Sequence, residues 1–404
     1  MFVINGKYAY ARIMIDNIEE EALRQIYDVI NHPVFKGSNI AIMPDVHAGK
    51  GCVIGYTQKL RDDQAIVPNL VGVDIGCGML SINLGKSDID LEKFDVFIRE
   101  NIPSGFNIRD AKHALFGLKN AKYKELEKDI FDVLTTCVDY KDFGKLYNRA
   151  INSVGTLGGG NHFAELGADN NGNKWLTIHS GSRNFGKLIC DYHQGKAKEL
   201  SQKMYIEMIN SGEDKFKTKG LEFLPSGYGK ELYLEHMRIA TNYASINRFT
   251  MLIDMISYLY DKHDPREAMA MIDDMEHIES IHNYIDFEDN ILRKGATPAR
   301  EGQRVIIPFN MRDGIIIGTG KGNKDWNYSA PHGAGRVMSR SRAKSNLSLD
   351  EFKKQMENVY STSVKQSTID ESPMVYKDSS LIKELIKDTV NIDLFIKPIY
   401  NFKA

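Results

Sequence analysis

Short apolar segments separated by glycine-rich, polar loops recur along this 404-residue chain. The pattern is clearest in residues 40–80, 155–186 and 277–340, where apolar runs end at loops such as VGVDIGCGM, GTLGGGNHFAE and SAPHGAGR. Valine- and isoleucine-rich runs broken by glycine predict buried strands that feed tight turns, in which the backbone can approach a ligand closely. Because the polar loops are spread over the whole length, we expect them to converge on one cleft in one intertwined domain, residues 1–404.

The segments between these loops have the pattern of helices. Residues 90–150 are more charged and predict amphipathic helices, and apolar residues recur at helical spacing over about 230–262. We therefore predict helical outer segments at about 85–150 and 185–265, a final helix at about 349–360, and an extended tail that ends IKPIYNFKA. This order of segments predicts an α+β fold with mixed β-sheets at the centre and flanking helices.

Composition argues against several classes of protein. No apolar run approaches the roughly 18 residues that a membrane span needs, and the first residues lack the pattern of a secretion signal, so we expect a cytoplasmic protein without membrane contact. The four cysteines are too few and too scattered for a disulfide framework, and none forms a CxxC pair. The formal net charge of -2 leaves room for a local basic patch at residues 336–344 (RVMSRSRAK), although charge alone favours a solvated face there.

Five side chains of the kinds that bind metals stand beside glycine-rich turns or at the ends of apolar runs. They are Asp74, Cys77, His162, His179 and His282. Carboxylate, thiolate and imidazole together suit borderline ions such as manganese, zinc or iron, and a thiolate can bridge two ions. Each residue alone has a simpler explanation, because a buried cysteine is usually a small hydrophobe and a histidine at a strand end is usually a core residue. Cys137 lies in a helical run and is predicted to be such a core residue.

His332 belongs to a second group of polar residues, in the segment SAPHGAGRVMSRSRAK. A histidine nitrogen can attack phosphorus and hold a nucleotidyl group covalently, and Arg336 can bind phosphate oxygens with its planar guanidinium. The motif alone favours a simpler explanation, a glycine-rich turn with an exposed histidine. The segments GGGNHF and GTGKGNKDW could cradle phosphate, yet neither matches a P-loop or a dinucleotide fingerprint.

Taken in order, these motifs resemble the RtcB family of RNA ligases, as a divergent bacterial branch of it. The matching segments run from residue 43 to residue 377 and are MPDVHAGKG, VGVDIGCGM, GTLGGGNHFAE, IHSGSR, the Asn-Arg pair at 247–248, IHNY, RKGATPA, HGAGR with MSRSRAK, and ESPMVYK. The resemblance covers nearly the whole chain in the family's order. It implies an RtcB-like fold around one metal-centred cleft.

The resemblance also implies an activity, cofactors and partners. It implies joining of RNA 3′-phosphate or 2′,3′-cyclic phosphate ends to 5′-hydroxyl ends, with two Mn²⁺ ions and GTP, through a covalent histidine–GMP intermediate. The expected partner is broken RNA, in RNA repair or tRNA splicing. A partner protein of RNA repair or ribosome rescue is compatible with the same resemblance.

Carried over motif by motif, the resemblance assigns roles to residues of this chain. The ligands of the two Mn²⁺ ions are expected to be Asp74, Cys77, His162, His179 and His282, and the residue that takes GMP is His332. Nucleotide contacts are expected at Asn161, Glu165, Asn310, Arg336, Tyr376 and Lys403. RNA-phosphate contacts are expected at Arg183, Asn247 and Arg248. Asp45 and His47 match residues at the mouth of the family's site.

One segment departs from the family pattern. Phe309 and Asn310 stand where most members have a Gly–Ser that shapes part of the guanine pocket, and residues 312–314 replace a small tight turn. Two alternatives to ligation are therefore carried forward: a metal-dependent cyclic phosphodiesterase without ligation, and an RNA-binding adaptor that uses the RSRAK stretch. A ligase is favoured over both, because an adaptor has no need of five metal ligands and a nucleophile.

Overall fold

The computed structural model describes residues 1–118, 120–212 and 216–404. The strands are β1 (Phe2–Asn5), β2 (Tyr10–Ile13), β3 (Asn39–His47), β4 (Ile54–Lys59), β5 (Gly78–Gly85), β6 (Phe163–Ala168), β7 (Lys174–Ser180), β8 (His277–Ile281), β9 (Asn283–Asp286), β10 (Ile291–Lys294), β11 (Ala296–Pro298), β12 (Arg304–Pro308), β13 (Ile315–Gly320), β14 (Ser329–Pro331) and β15 (Val390–Lys403). The α-helices are α1 (Glu20–Ile30), α2 (Leu91–Asn101), α3 (Ala121–Cys137), α4 (Tyr140–Asn152), α5 (Arg183–Asn210), α6 (Tyr228–Leu259), α7 (Pro265–Asp274), α8 (Arg340–Asn346), α9 (Leu349–Gln355) and α10 (Ser379–Leu385).

The strands form two large sheets and a small ribbon. One sheet has the order β1-β2-β3-β4-β10-β9, the other has the order β12-β13-β15-β6-β7-β5-β8, and β11 pairs with β14. β2 and β3 run parallel, whereas the pairs of the second sheet are antiparallel. The prediction of an α+β fold with mixed sheets is confirmed.

The second sheet places the polar loops at one edge. β5 and β7 pair so that Met79 lies opposite His179, and β6 and β7 pair so that Phe163 lies opposite His179. Cys77 and His162 immediately precede β5 and β6, so their side chains reach the same sheet edge as His179. The hydrophobic pattern that forms these strands therefore also brings distant loops together.

The chain's last residues are a central strand rather than a peripheral tail. β15 lies between β13 and β6 and pairs antiparallel with both. Its register places Asn401 opposite Glu165 and Lys403 opposite Phe163. The extended conformation was predicted, and its pairing with both neighbours carries the C-terminal side chains to the site edge of the sheet.

Helices occupy the segments where amphipathic patterns predicted them, and side chains cap several of their first turns. Asp90, Asn120 and Asp264 accept hydrogen bonds from backbone N–H groups at the starts of α2, α3 and α7, as N-cap residues commonly do. The second half of α6 is buried among α5, β5 and β7. It therefore lies directly beneath the sheet that carries the polar loops.

The prediction of a final helix at 349–360 is wrong in two respects. α9 ends at Gln355, because the chain then turns so that the N–H of Tyr360 bonds to the carbonyl of Ile399 on β15. A further helix, α10, follows after the N-cap Asp378. It is too short for helical periodicity to stand out in sequence.

A large apolar core includes residues near both ends of the chain, such as Ile4 and Phe402. The division of the chain into one domain stays a prediction. Within the described ranges, no helix is both long enough and apolar enough to cross a membrane.

Candidate metal centre and nucleotide cleft

The five predicted metal ligands meet in one place as two triads that share Cys77. One triad is Asp74, Cys77 and His162, and the other is Cys77, His179 and His282, each with its ligand atoms within 4.8 Å of one another. Cys77 Sγ lies 3.2 Å from His179 Nε2 and 3.5 Å from His162 Nε2. Asp74 Oδ2 is 2.9 Å from His162 Nε2, and the Nε2 atoms of His179 and His282 are 3.3 Å apart.

Backbone groups orient the ligands through the atoms that do not face the centre. Nδ1 of His162 is 2.8 Å from the carbonyl of Leu157, and Nδ1 of His179 is 3.1 Å from the carbonyl of Asn161. These contacts leave both Nε2 atoms directed at Cys77, as second-shell bonds do in metal sites. Gly181 is required beside them, because a Cβ there would lie 2.1 Å from Asp74 Oδ1.

The protonation of the ligands suits cation binding. Burial lowers the pKa of His179 and His282 well below the ordinary histidine value, so both imidazoles are neutral. Burial raises the carboxyl pKa of Asp74, but the hydrogen bond and charge of His162 outweigh it and leave that pKa lowered. Burial, together with the charge of Asp74, raises the pKa of the Cys77 thiol, so a cation must displace its proton on binding. The donor set fits two borderline divalent cations with a shared thiolate.

His332 lies next to this centre, on a loop held by a buried carboxylate. Its Nδ1 is 2.6 Å from Asp45 Oδ2, which also accepts the backbone N–H of His332 at 3.2 Å. Asp45 is fully buried, and the rings of His332 and His282 are 4.8 Å apart between centroids. An Nδ1–H that donates to Asp45 leaves the Nε2 lone pair free as a nucleophile. Gly335 permits this packing, since a Cβ there would lie 2.1 Å from the Asp45 carbonyl oxygen.

A cleft of about 710 Å³ opens beside His332 and the metal triads. The six predicted nucleotide-contact residues all line it, and they are Asn161, Glu165, Asn310, Arg336, Tyr376 and Lys403. His47 lines it as well, and its Nδ1 is 2.9 Å from the Asp45 carbonyl oxygen. Residues from the loops before β6, after β12 and after β14, and from the end of β15, thus meet at one surface.

Glu371, which the sequence did not single out, joins three of these cleft residues. Its carboxylate accepts the Tyr376 hydroxyl, lies 3.2 Å from Lys403 Nζ, and lies 3.3 Å from Arg336 Nη1. Burial raises its pKa, but Lys403, Arg340 and Arg336 outweigh this effect and hold the pKa at about 2. The glutamate of the ESPMVYK motif was the available signal, and only the folded structure shows which cations it pairs with.

Among the residues that the structure describes, two buried acceptor atoms in the cleft have no hydrogen-bond partner. They are Glu165 Oε1 and Asn401 Oδ1, while Asn401 Nδ2 donates to Glu165 Oε2 at 2.7 Å. Burial raises the pKa of Glu165 to about 8. Asn401 was missed by sequence analysis, although its spacing of two from Lys403 places both side chains on one face of a strand. Buried unpaired acceptors are costly and indicate where a ligand with donor groups fits.

Comparisons with known proteins identify the family of this chain. A family model described as tRNA-splicing ligase RtcB matches residues 25–404. The RNA-splicing ligase RtcB of Escherichia coli K12 is 32% identical over 397 residues, which cover 93% of this chain and 92% of that protein. The chain belongs to the RtcB family. An RNA-splicing ligase RtcB homolog 1 of Entamoeba histolytica is 28% identical over 420 residues, covering 85% of this chain and 76% of that protein.

The segment that departs from the RtcB pattern is a tight turn held by its own side chains. Asn310 Oδ1 accepts the backbone N–H groups of Arg312 and Asp313, and Asn310 Nδ2 donates to Asp313 Oδ2 at 2.8 Å. The ring of Phe309 packs into a small apolar core beneath the cleft. The polar atoms of Asn310 therefore maintain the turn at the rim of the cleft, and a contact of Asn310 with nucleotide stays a prediction.

The three residues expected to contact RNA phosphate bond to segments that adjoin the candidate metal ligands. The side chain of Asn247 bonds to the backbone of Gly155 and Thr156, and Arg248 donates to the carbonyls of Gly76 and Ser180. Both are fully buried, and Arg248 also pairs with Glu279 at 2.8 Å. The Arg183 guanidinium bonds to Thr156 Oγ1 and to the Gly105 carbonyl. The structure thus holds the polar groups of Asn247 and Arg248 within the protein, whereas Arg183 is half-buried. The contact of all three with RNA stays a prediction.

Proposed function

We propose that this protein is an RNA ligase that joins RNA 3′-phosphate or 2′,3′-cyclic phosphate ends to 5′-hydroxyl ends, using GTP and two Mn²⁺ ions. One observation carries the proposal: a histidine oriented by a buried carboxylate stands beside two ligand triads that share a thiolate. An adaptor would need neither feature. The family membership of the chain supports the same activity, because the curated relatives named above are RNA-splicing ligases.

His332 supplies the nucleophile in this proposal. Nε2 attacks the α-phosphorus of GTP, a P–N bond forms, and the bond to the pyrophosphate leaving group breaks. Asp45 stabilises the positive charge that develops on the imidazole and keeps its ring aimed at the cleft. When bound at Asp74, Cys77, His162, His179 and His282, the two cations would neutralise phosphate charge during transfer.

The next steps transfer GMP to RNA and then release it. The RNA 3′-phosphate takes GMP from His332, and the 5′-hydroxyl oxygen then attacks that phosphate, so that GMP leaves and the phosphodiester forms. A cyclic phosphate is first opened by water to a 3′-phosphate. Holding both ends in one cleft makes the joining effectively intramolecular.

The unpaired acceptors of the cleft support guanine as the base. Guanine presents N1–H and a 2-amino group on one edge, which matches two acceptors such as Glu165 Oε1 and Asn401 Oδ1. Adenine has an acceptor at N1 and would leave a buried acceptor unpaired, which selects strongly against it. Lys403, at the end of the same strand, can donate to the guanine O6 atom.

A ligation assay tests the proposal. An RNA with a 2′,3′-cyclic phosphate and a 5′-hydroxyl is incubated with the protein and Mn²⁺, with and without GTP. We expect GTP-dependent joining, label from α-labelled GTP on the wild-type protein, and neither with His332→Ala. His263→Ala, which removes an exposed histidine, should behave as wild type.

The alternatives give different results in this assay. Opening of the cyclic phosphate without joining, at the same rate with and without GTP, would establish a cyclic phosphodiesterase. Binding of RNA without any change to its ends would establish an adaptor. Either result would overturn the ligase proposal.

A further inference from the structure

Three helices bring a second group of cysteine and histidine side chains together. Cys137 ends α3, His193 lies on α5 and His236 lies on α6. Cys137 Sγ is 3.5 Å from His236 Nδ1, which is 3.0 Å from His193 Nε2, and the three ligand atoms lie within 4.8 Å of one another. Along α5, His193 is about 15 Å from Arg183 at the helix start, so the group is separate from the metal centre at the sheet edge.

The spacing of these atoms fits a single tetrahedral ion. Zinc bonds of about 2.3 Å to sulfur and 2.0–2.1 Å to nitrogen place ligand atoms about 3.3–3.6 Å apart at tetrahedral angles. The observed distances of 3.5 Å and 3.0 Å are close to that range before any adjustment of the side chains. They are also as short as the distances within the Cys77 triads, where Cys77 Sγ is 3.2 Å from His179 Nε2.

The chemical state of the side chains also suits a cation. Burial lowers the pKa of His193 to about 3 and lowers that of His236, so both imidazoles are neutral and have lone pairs to donate. Burial raises the pKa of the Cys137 thiol to about 12, and a bound cation would displace that proton. Cys137 remains partly exposed, which leaves a path for an ion and for a water molecule as a fourth ligand.

We propose that Cys137, His193 and His236 form a second metal site, which takes a borderline divalent cation such as Zn²⁺ and fastens α3 to α5 and α6. One thiolate and two imidazoles without a carboxylate favour zinc over manganese. The site is independent of the ligase proposal. It braces the two helices that support the catalytic loops, because α5 starts just after His179 and α6 carries Asn247 and Arg248. Cys137 also packs against the large apolar core, as its helical pattern predicted, and the proposal adds metal binding to that role.

Cobalt(II) provides a direct probe, since its charge-transfer absorption with a thiolate reports a cysteine ligand. The protein used is the Cys77→Ala variant, which lacks the thiolate of the other centre. It is stripped of metal with a chelator and then titrated with Co²⁺. We expect one cobalt–thiolate site to remain in Cys77→Ala. Adding Cys137→Ala should abolish that absorption, whereas adding Cys190→Ala, at another buried free cysteine, should leave it unchanged.

Two outcomes would overturn the proposal: no cobalt–thiolate absorption in Cys77→Ala, or equal absorption after Cys137→Ala is added. A second measurement covers the case in which a variant folds poorly. Dialysis of Cys77→Ala against equal Zn²⁺ and Mn²⁺, followed by elemental analysis, should leave zinc that raises the Tm, and adding Cys137→Ala should remove about one zinc per chain. His193→Gln in the same background should lower zinc affinity at least tenfold, and unchanged zinc content would reject the site.

Discussion

Two buried glutamates beside the cleft, Glu165 and Glu371, differ in charge because their partners differ. Glu371 and Glu165 are both buried, yet the pKa of Glu371 is held at about 2 and that of Glu165 rises to about 8. Glu371 is in direct contact with Lys403, Arg340 and Arg336, whereas Glu165 has the neutral amide of Asn401 beside it. Burial alone favours the protonated acid, and only nearby cations reverse that preference. Glu371 therefore stays ionised and paired with basic side chains, whereas Glu165 can lose its proton when a ligand binds.

Asp45→Asn tests how far the orientation of His332 matters. The variant keeps the shape of the side chain but removes the charge that holds Nδ1–H, so we expect transfer of label from α-labelled GTP to fall about 100-fold. Manganese content should stay at the wild-type value, since Asp45 is not among the ligands. Glu19→Gln, at a residue that also lines the cleft, serves as the control. Labelling at the wild-type rate in Asp45→Asn would show that the carboxylate does not position the nucleophile.

The affinity for GTP should depend on pH through Glu165. With a pKa of about 8, the free protein holds a proton on this carboxyl at pH 7. Glu165 Oε2 already accepts from Asn401 Nδ2, so a guanine that donates to Oε1 leaves no place for that proton and must expel it. The affinity for GTP should therefore weaken about tenfold for each pH unit below 8 and level off above it. Binding of GTP measured from pH 6 to pH 9 checks the slope.

Glu165→Gln should remove this pH dependence and weaken discrimination between GTP and ATP by about 100-fold or more. Asn173→Asp, which alters a polar side chain in the turn between β6 and β7, is a control outside the cleft. If the GTP affinity of Glu165→Gln still depends on pH as in the wild type, a group other than Glu165 causes that dependence.

At the scale of elements, the pairing of β15 determines which C-terminal side chains line the cleft. Its register brings Asn401 and Lys403 beside residues of β6. The sequence predicted an extended tail, but no local pattern specifies which strands an extended segment will pair with. The roles of Asn401 and Glu371 were missed for that reason, since both depend on where the tail docks. The candidate metal ligands could be named from sequence because glycine-rich turns beside apolar runs are visible without knowledge of pairing, and the structure brings these side chains together. Their binding of metal stays a prediction.

Two changes at the end of β15 should affect nucleotide binding and folding differently. Lys403→Met should raise the KM for GTP about tenfold while manganese content and Tm stay near the wild-type values, because Glu371 keeps Arg336 and Arg340 as partners. Deleting residues 401–404 should lower the Tm as well, since it removes three register pairs with β6. Steady-state kinetics and thermal unfolding of both variants check this. An unchanged KM in Lys403→Met would show that its ammonium does not contact the nucleotide.

At the scale of the whole molecule, α6 connects the helical layer to the sheet that carries the candidate metal ligands. Arg248 on α6 donates to the carbonyls of Gly76 and Ser180, which are adjacent in sequence to Cys77 and His179. These bonds fix both ligand loops to one buried guanidinium. The family resemblance gave Arg248 a contact with RNA phosphate, whereas the fold places its guanidinium against the backbone beside two of the predicted metal ligands. Sequence could identify the Asn-Arg motif, but burial of its side chains follows only from the packing of α6 beneath the sheet.

Arg248→Met distinguishes the two roles. A supporting role predicts a loss of about 3 kcal/mol in the free energy of unfolding, because Glu279 and two carbonyls lose their partner, and manganese affinity about tenfold weaker. The salt dependence of RNA binding should not change. Arg342 is exposed on α8, in the basic stretch at residues 336–344, and serves as the comparison. If that stretch binds RNA, Arg342→Met should lessen the slope of log K against log salt by about 0.7, the value for one lost phosphate contact with a single strand. If Arg248→Met instead keeps wild-type stability and has a smaller salt slope, Arg248 contacts RNA phosphate. Only a group that neutralises phosphate releases counterions when RNA binds.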